Sequence, residues 1–169
     1  MSKSASIRPA EAIDAQSMLE LFEALDSETE FMFFEPGERT TTKQQQVERI
    51  EHSMDNEYSV LRVAELGNQI VGFAAGFSSV GVRNRHVLTL VVGVRKEFWR
   101  SGIGAKLMIA MEEWAVANHK RKLELTVMCD NIQAIALYSC LGFDKEGIKR
   151  RSVRLQDRYV DEFHMGKLL

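Results

Sequence analysis

One stretch constrains this chain more than any other: His86 to Val94, H-V-L-T-L-V-V-G-V, nearly all apolar or β-branched. Such a run predicts a central strand buried on both faces, because a strand with one wet face alternates apolar and polar residues. The chain must then supply cover for two sides of a sheet. Gly102 to Asn118 reads as a helix, Lys122 to Val127 as a strand, Ile132 to Leu141 as a second helix, and Phe143 to Ile148 and Tyr159 to Gly166 as closing strands. A β-α-β-α unit with strands after it predicts an α/β class with a mixed sheet.

The first half fits the same plan. Ile7 to Pro9 reads as a strand end, Ala12 to Ala24 as a helix with Ile13, Met18, Leu21 and Phe22 near helical spacing, and Thr42 to Met54 as a polar helix. Tyr58 to Leu66 and Gln69 to Phe77 are strand-like runs joined at Gly67-Asn68, a pair suited to the positive φ angles of a tight hairpin. Neither a repeat nor a linker breaks the chain, and 169 residues suit a single domain, 1–169.

Composition narrows the function classes. With 45% apolar and 27% charged residues a packed core forms, and a net charge of -2 without clustered Lys and Arg offers no footprint for nucleic acid. Met1 to Pro9 carries no apolar run for export or membrane insertion, and Cys129 and Cys140 make neither a disulfide framework nor a metal-ligand spacing. The expectation is a cytoplasmic protein with no membrane, nucleic-acid or metal partner; a homodimer is left open.

Chemistry first shows at Arg100-Ser101-Gly102-Ile103-Gly104-Ala105, between the central strand and the next helix. Glycines let backbone N–H groups approach a ligand, and a helix N-terminus adds unpaired donors and partial positive charge, which together suit a pyrophosphate. A plain helix start reads equally well from the segment alone. A dinucleotide site, with Glu124 as its ribose acid, reads worse: Leu107 replaces the third glycine, and Arg95 to Ser101 separate strand from glycines.

The second segment is Asp130-Asn131-Ile132-Gln133-Ala134-Ile135-Ala136-Leu137-Tyr138, followed by Leu141-Gly142-Phe143. Read plainly, Asp130 caps a helix with Gln133 completing a capping box, and Tyr138 joins an apolar stripe with Ala134, Leu137 and Leu141. Placed after the Val94 to Gly104 segment, the pattern D-N-x-x-A-I-x-L-Y-x-x-L-G-F resembles the coenzyme A motifs of the GNAT superfamily of N-acetyltransferases. The resemblance covers about Leu88 to Met165. The run from Glu146-Gly147 through Tyr159-Val160-Asp161 resembles the bacterial amino-acid and polyamine branch, although Trp99 stands where many members have Gln or Arg, and Asp157 where relatives often have glycine.

The resemblance implies a mostly antiparallel sheet of six to seven strands with about four helices, splayed at its central strands to admit acetyl-CoA. Val92, Gly93 and Val94 would flank the pantetheine arm, Arg100, Ser101, Gly102, Ile103, Gly104 and Ala105 the pyrophosphate, and Asn131 and Ala134 the cofactor's other side. Tyr138 would protonate the leaving thiolate. The family's base positions fall on Leu88 and Thr126, so Glu124, two residues from Thr126 on the same strand face, is the leading side-chain base, then His86 or a water chain. A covalent route through Cys129 has no basic setting to favour it. The acceptor would be a small-molecule primary amine met by the loop Asp26 to Thr41, where Glu28, Glu30, Glu35 and Glu38 surround Phe31, Phe33 and Phe34; the bland alternative leaves those acids solvated and packs the phenylalanines inside. Protein N-termini, including those of ribosomal proteins, remain an alternative acceptor, and a non-catalytic acetyl-CoA sensor an alternative function.

Overall fold

The computed structural model describes residues 5–169. Seven strands form one sheet: β1 (Ser6–Pro9), β2 (Ser59–Leu66), β3 (Gln69–Phe77), β4 (Val87–Val94), β5 (Lys122–Met128), β6 (Asp144–Leu155) and β7 (Arg158–Leu168), in the order β1-β2-β3-β4-β5-β7-β6. Every neighbouring pair is antiparallel except β4 and β5. The helices are α1 (Ala15–Glu28), α2 (Lys43–Met54), α3 (Ile103–Ala117) and α4 (Ile132–Cys140).

Two apolar layers sandwich this sheet. Met18, Leu21, Phe22 and Leu25 of α1 and Ile50 of α2 pack on Val63, Ile70, Phe73 and Ala75. On the opposite face Leu107, Met108 and Met111 of α3 and Tyr138 of α4 pack on Leu88, Leu90, Leu123, Leu125 and Val127. Local chemistry sets the boundaries: Thr42 and Gln45 form a reciprocal capping box that opens α2, and Gly142, at φ 87°, turns the chain out of α4.

The strand buried on both faces is β3, not β4. Thr89 and Val91 of β4 are exposed because α1 and α2 cover β2, β3 and the Gly93 end of β4 but stop short of its middle. The first helix also runs later than its apolar spacing predicts: Ala12–Asp14 is a single 3-10 turn, and α1 extends to Glu28. At the β2–β3 hairpin Gly67 alone of its pair takes positive φ, 67°. The closing strands are longer than the sequence suggests, and Gln156, at φ 47°, turns the last hairpin beside Asp157.

Candidate active site

The parallel pair β4–β5 is bridged only at Val87–Lys122, Leu88–Leu123 and Thr89–Glu124. Beyond Thr89 the strands part, which opens the splay expected at the centre of the sheet. Alternation along β4 decides which backbone groups face the gap. The Arg95 N–H donates to the Val71 carbonyl at 3.0 Å, so in this antiparallel register odd-numbered residues of β4 bond to β3 and even-numbered ones turn the other way. The Thr89–Glu124 bridge takes the Leu90 N–H, and beyond it the Leu90 carbonyl and the backbone groups of Val92 and Val94 point into a gap with no strand to receive them. The Val94 carbonyl is taken internally by the Trp99 indole N–H at 2.7 Å. Gly93 has the opposite parity: it bonds toward β3, and a Cβ there would lie 2.8 Å from Leu25 and 2.9 Å from Phe73. Its missing side chain serves packing against α1 and does not face the gap.

At the outer end of the gap the backbone is unusual. Arg100 (φ 62°) and Gly102 (φ 83°) both take left-handed conformations, and Ser101 donates its hydroxyl to the Phe98 carbonyl. The Lys106 N–H is the first to bond within α3, to Gly102, so the N–H groups of Ile103, Gly104 and Ala105 precede the helical ladder. Gly102 carries no side-chain cap. A Cβ on Gly104 would sit 3.1 Å from Leu137, so that glycine also lets α3 approach α4. These donors at a positive helix end suit an anion.

On the α4 side the cap is Asn131, not Asp130. Asn131 Oδ1 accepts the Ala134 N–H at 3.2 Å, which leaves Asn131 its amide donors but uses the Ala134 N–H internally. Asp130 instead pairs with Arg158 at 2.9 Å, because the β6–β7 hairpin brings that guanidinium alongside. Tyr138 is 7% exposed, in the same cluster as Leu90, Leu125 and Val127, and its ring sits 6.0 Å from that of Phe143. Among the described residues its hydroxyl makes no hydrogen bond, while every fully buried side-chain oxygen has a partner; the hydroxyl therefore reaches accessible space. Burial pushes the phenol's pKa up, so it stays a proton donor.

Glu124 lies at the last bridged pair, the closed end of the splay. Its carboxylate accepts from the Thr89 hydroxyl at 3.1 Å, and His164 Nε2 and Lys122 Nζ stand at 3.4 and 3.8 Å. His86 precedes β4, on the far side of the bridged residues from the gap, and its carbonyl accepts the Arg121 N–H. Thr126 is exposed and faces His164 across β5–β7, while Leu88 is fully buried. Burial pushes the Cys129 thiol up, first among the causes, which disfavours a thiolate nucleophile there.

The acidic and aromatic loop divides its residues between tethering and exposure. Glu28 accepts from Arg95 and from the Lys96 N–H, each at 2.8 Å; Glu30 pairs with Arg158 at 2.7 Å; and Glu38 holds the Glu35 N–H at 2.8 Å. Phe33 is 89% exposed and stacks edge-on to Phe34 at 5.3 Å, so these rings are not core. Nothing local in the sequence marks His164, Glu146, Arg95 and Arg158 as site residues, since only the register of distant strands brings them to this region.

A family model described as the acetyltransferase (GNAT) family matches residues 18–143, more than half of the chain. The L-amino acid N-acetyltransferase AaaT of Escherichia coli (strain K12) is 29% identical over 107 residues, 59% of this chain and 64% of that one, so the match spans less than two thirds of the relative. The acetyltransferase of GNAT family from Streptococcus pneumoniae superposes with a TM-score of 0.94 at 28% identity, covering 98% of this chain and 99% of that one. A GNAT superfamily phosphinothricin acetyltransferase from Sinorhizobium meliloti, solved in complex with AcCoA, shares the fold with a TM-score of 0.85 at 20% identity over 98% of this chain and 89% of its own. The splayed sheet, the unbonded helix start beside it and the match across residues 18–143 together place this chain in the GNAT family of acetyltransferases.

Proposed function

We propose that the chain, as a single domain over residues 1–169, is an acetyl-CoA-dependent N-acetyltransferase that transfers acetyl to the primary amine of a small molecule of amino-acid or polyamine type, by direct attack in a ternary complex. The observation that carries this reading is the gap itself: the Leu90 carbonyl and the backbone groups of Val92 with no strand to bond, unbonded N–H groups of Ile103 to Ala105 at one end, and a Tyr138 hydroxyl without a hydrogen bond among the described residues beside it. Acetyl-CoA, the donor substrate, supplies the thioester. The residues present fit it: strand-like bonding for the pantetheine amides, a positive helix end with Arg100 and Ser101 for the diphosphate, and the Asn131 amide for a further contact.

An alkyl ammonium, with pKa near ~10, loses a proton before its nitrogen can attack, and the departing sulfur gains one. Tyr138 is suited to the second task because its buried phenol stays protonated. Glu124 is the carboxylate nearest the closed end. The similarity to an L-amino acid N-acetyltransferase supports an amino-acid acceptor, and the exposed Phe33 and Phe34 among acids suit an amine on an apolar stem.

The test titrates acetyl-CoA by calorimetry and follows free thiol release across spermidine, L-amino acids and an alanine-terminated peptide. Binding with turnover on the small amines is expected. Turnover on the peptide alone moves the reading to protein N-termini; binding without turnover on any amine leaves a sensor; no binding overturns it.

A further inference from the structure

Around Glu124 the sheet builds a cluster that the motifs do not account for. Glu146 is the extra residue of a β-bulge: Lys145 pairs with Met165 and Gly147 with His164, which leaves Glu146 unpaired between them. A bulge re-aims the side chain it carries. Here the Glu146 carboxylate swings over Gly166, where a Cβ would lie 2.5 Å from it, and reaches Lys122 Nζ at 2.7 Å and His164 Nε2 at 3.4 Å. The same nitrogen is 3.4 Å from Glu124. A bulge on one strand and a glycine on the next thus act together to set two carboxylates on one edge of one imidazole. Gly147, directly opposite His164, has open space where a Cβ would be.

Two carboxylates, each 3.4 Å from Nε2, favour a proton on that nitrogen by charge, which leaves Nδ1 with its lone pair; among the described residues Nδ1 makes no hydrogen bond. The cation position between the acids is filled by the Lys122 ammonium, so the cluster suits proton handling rather than a metal. Its place is the closed end of the splay, on the open face shared with Thr89 and Thr126. An arm anchored at Arg100 to Ala105 and running inward along Val94, Val92 and Leu90 ends there.

We propose that His164 is the general base of the reaction, accepting the acceptor ammonium's proton on Nδ1, and that Glu124 and Glu146 are positioning residues that hold its Nε2–H. This deepens the acetyl-transfer reading and rests on it. The ammonium N–H bond breaks and the proton passes to Nδ1; the freed nitrogen pair forms the C–N bond at the thioester carbon while the C–S bond breaks. Sulfur leaves with its electron pair and takes a proton from Tyr138. The acylated nitrogen sheds its second proton, which restores the phenol through solvent, and His164 releases its own, so the sum is amide, thiol and one proton. The charged groups around His164 are Lys122 and Glu124 on β5, Glu146 and Lys149 on β6, and Glu162 on β7, the last two paired at 3.4 Å.

The experiment uses the full chain in two arms. In the first, long-range 1H–15N correlations of the 15N-histidine protein, with the peak assigned through His164→Gln, report the tautomer without turnover; Nε2–H is expected, and Nδ1–H overturns the proposal. In the second, kcat/KM for spermidine or the best L-amino acid is followed against pH. His164→Gln should lower it about 10²-fold and abolish the acid limb of the profile, acetyl-CoA affinity should hold within twofold, and added imidazole should restore His164→Ala at least tenfold. Unchanged kcat/KM with the limb intact in His164→Gln, or no rescue of a folded His164→Ala, overturns it. If the wild type releases no thiol with any acceptor, acetyl transfer itself falls, while the tautomer still judges the arrangement of His164 with Glu124 and Glu146.

Discussion

Asp26 and Arg39 give the sharpest test of how the loop after α1 is held. Asp26 ends the buried stripe of α1 with its side chain 1% exposed, and Arg39 reaches back from the loop with two N–H groups, the Nη2 one at 2.9 Å. The guanidinium lies 4.8 Å over the Phe22 ring and 4.6 Å over that of Phe34. Breaking a buried pair by removing one partner costs about 3 to 5 kcal/mol, because the remaining charge stays desolvated. Arg39 is 18% exposed and can swing partly into water, so Asp26→Ala belongs at the lower end, about 3 kcal/mol. For a chain of this length that lowers Tm by roughly 6 to 12 °C. Arg39→Met keeps the stem's packing but strands the Asp26 carboxylate, so its loss is at least as large. The double variant leaves no unpaired charge and should be more stable than the summed losses by about 2 kcal/mol, a coupling read from urea unfolding of the four proteins. The loop's tether is lost in all three, so acceptor KM should rise while acetyl-CoA affinity holds. Single losses below about 1 kcal/mol, or strict additivity, would refute the reasoning.

Three further outcomes follow from the site and its frame. Tyr138→Phe should cut kcat by about 10²-fold, near 2.7 kcal/mol of barrier, with acetyl-CoA affinity held within twofold in calorimetry, since its hydroxyl has no internal partner to lose. Gly102→Val meets no neighbour within 4 Å but forces a β-branched residue to φ 83°, so about 1 to 2 kcal/mol of strain should appear in unfolding, together with at least tenfold weaker acetyl-CoA binding. The Asp14 carboxyl is held below its ordinary value of 3.8 chiefly by its hydrogen bonds from Arg8. A depressed folded pKa contributes stability that is complete above that ordinary value and lost as pH falls through the folded one, so Asp14→Asn should flatten the acid limb of stability below pH ~4 and leave its slope near neutrality unchanged.

Most of the fold was written in local signals. Gly67 between two β-branched runs set the β2–β3 hairpin, Thr42 with Gln45 set the start of α2, and the spacing of Ala134, Tyr138 and Leu141 set the inner face of α4. What misled was apolar content read as burial. The run through β4 is as apolar as that through β3, yet whether Val91 is covered depends on where α1 and α2 end, at Glu28 and Met54, far earlier in the chain. At α4 two adjacent residues are both able caps, and choosing between Asp130 and Asn131 depends on whether Arg158 arrives to take the first carboxylate.

Site residues divide along the same line. Motif positions such as Gly102, Asn131 and Tyr138 lie within segments whose own letters carry the pattern, so each can be named from its segment alone. The partners around Glu124 do not lie in such a segment, because strand pairing, not sequence distance, makes Thr89, His164 and Glu146 its neighbours. The one legible trace was parity: Lys122, Glu124 and Thr126 share a face, so a polar face on an otherwise buried strand needed partners from elsewhere. Glu146 defeats even that rule. Counting by twos along β6 assigns its face without the bulge, and a single unpaired residue reverses every later assignment on that strand. Gly166 is the compensating mark, a residue with no Cβ where the displaced carboxylate passes. A pair of that kind, a bulge with a glycine nearby on the neighbouring strand, becomes readable only when the register between two strands is already known.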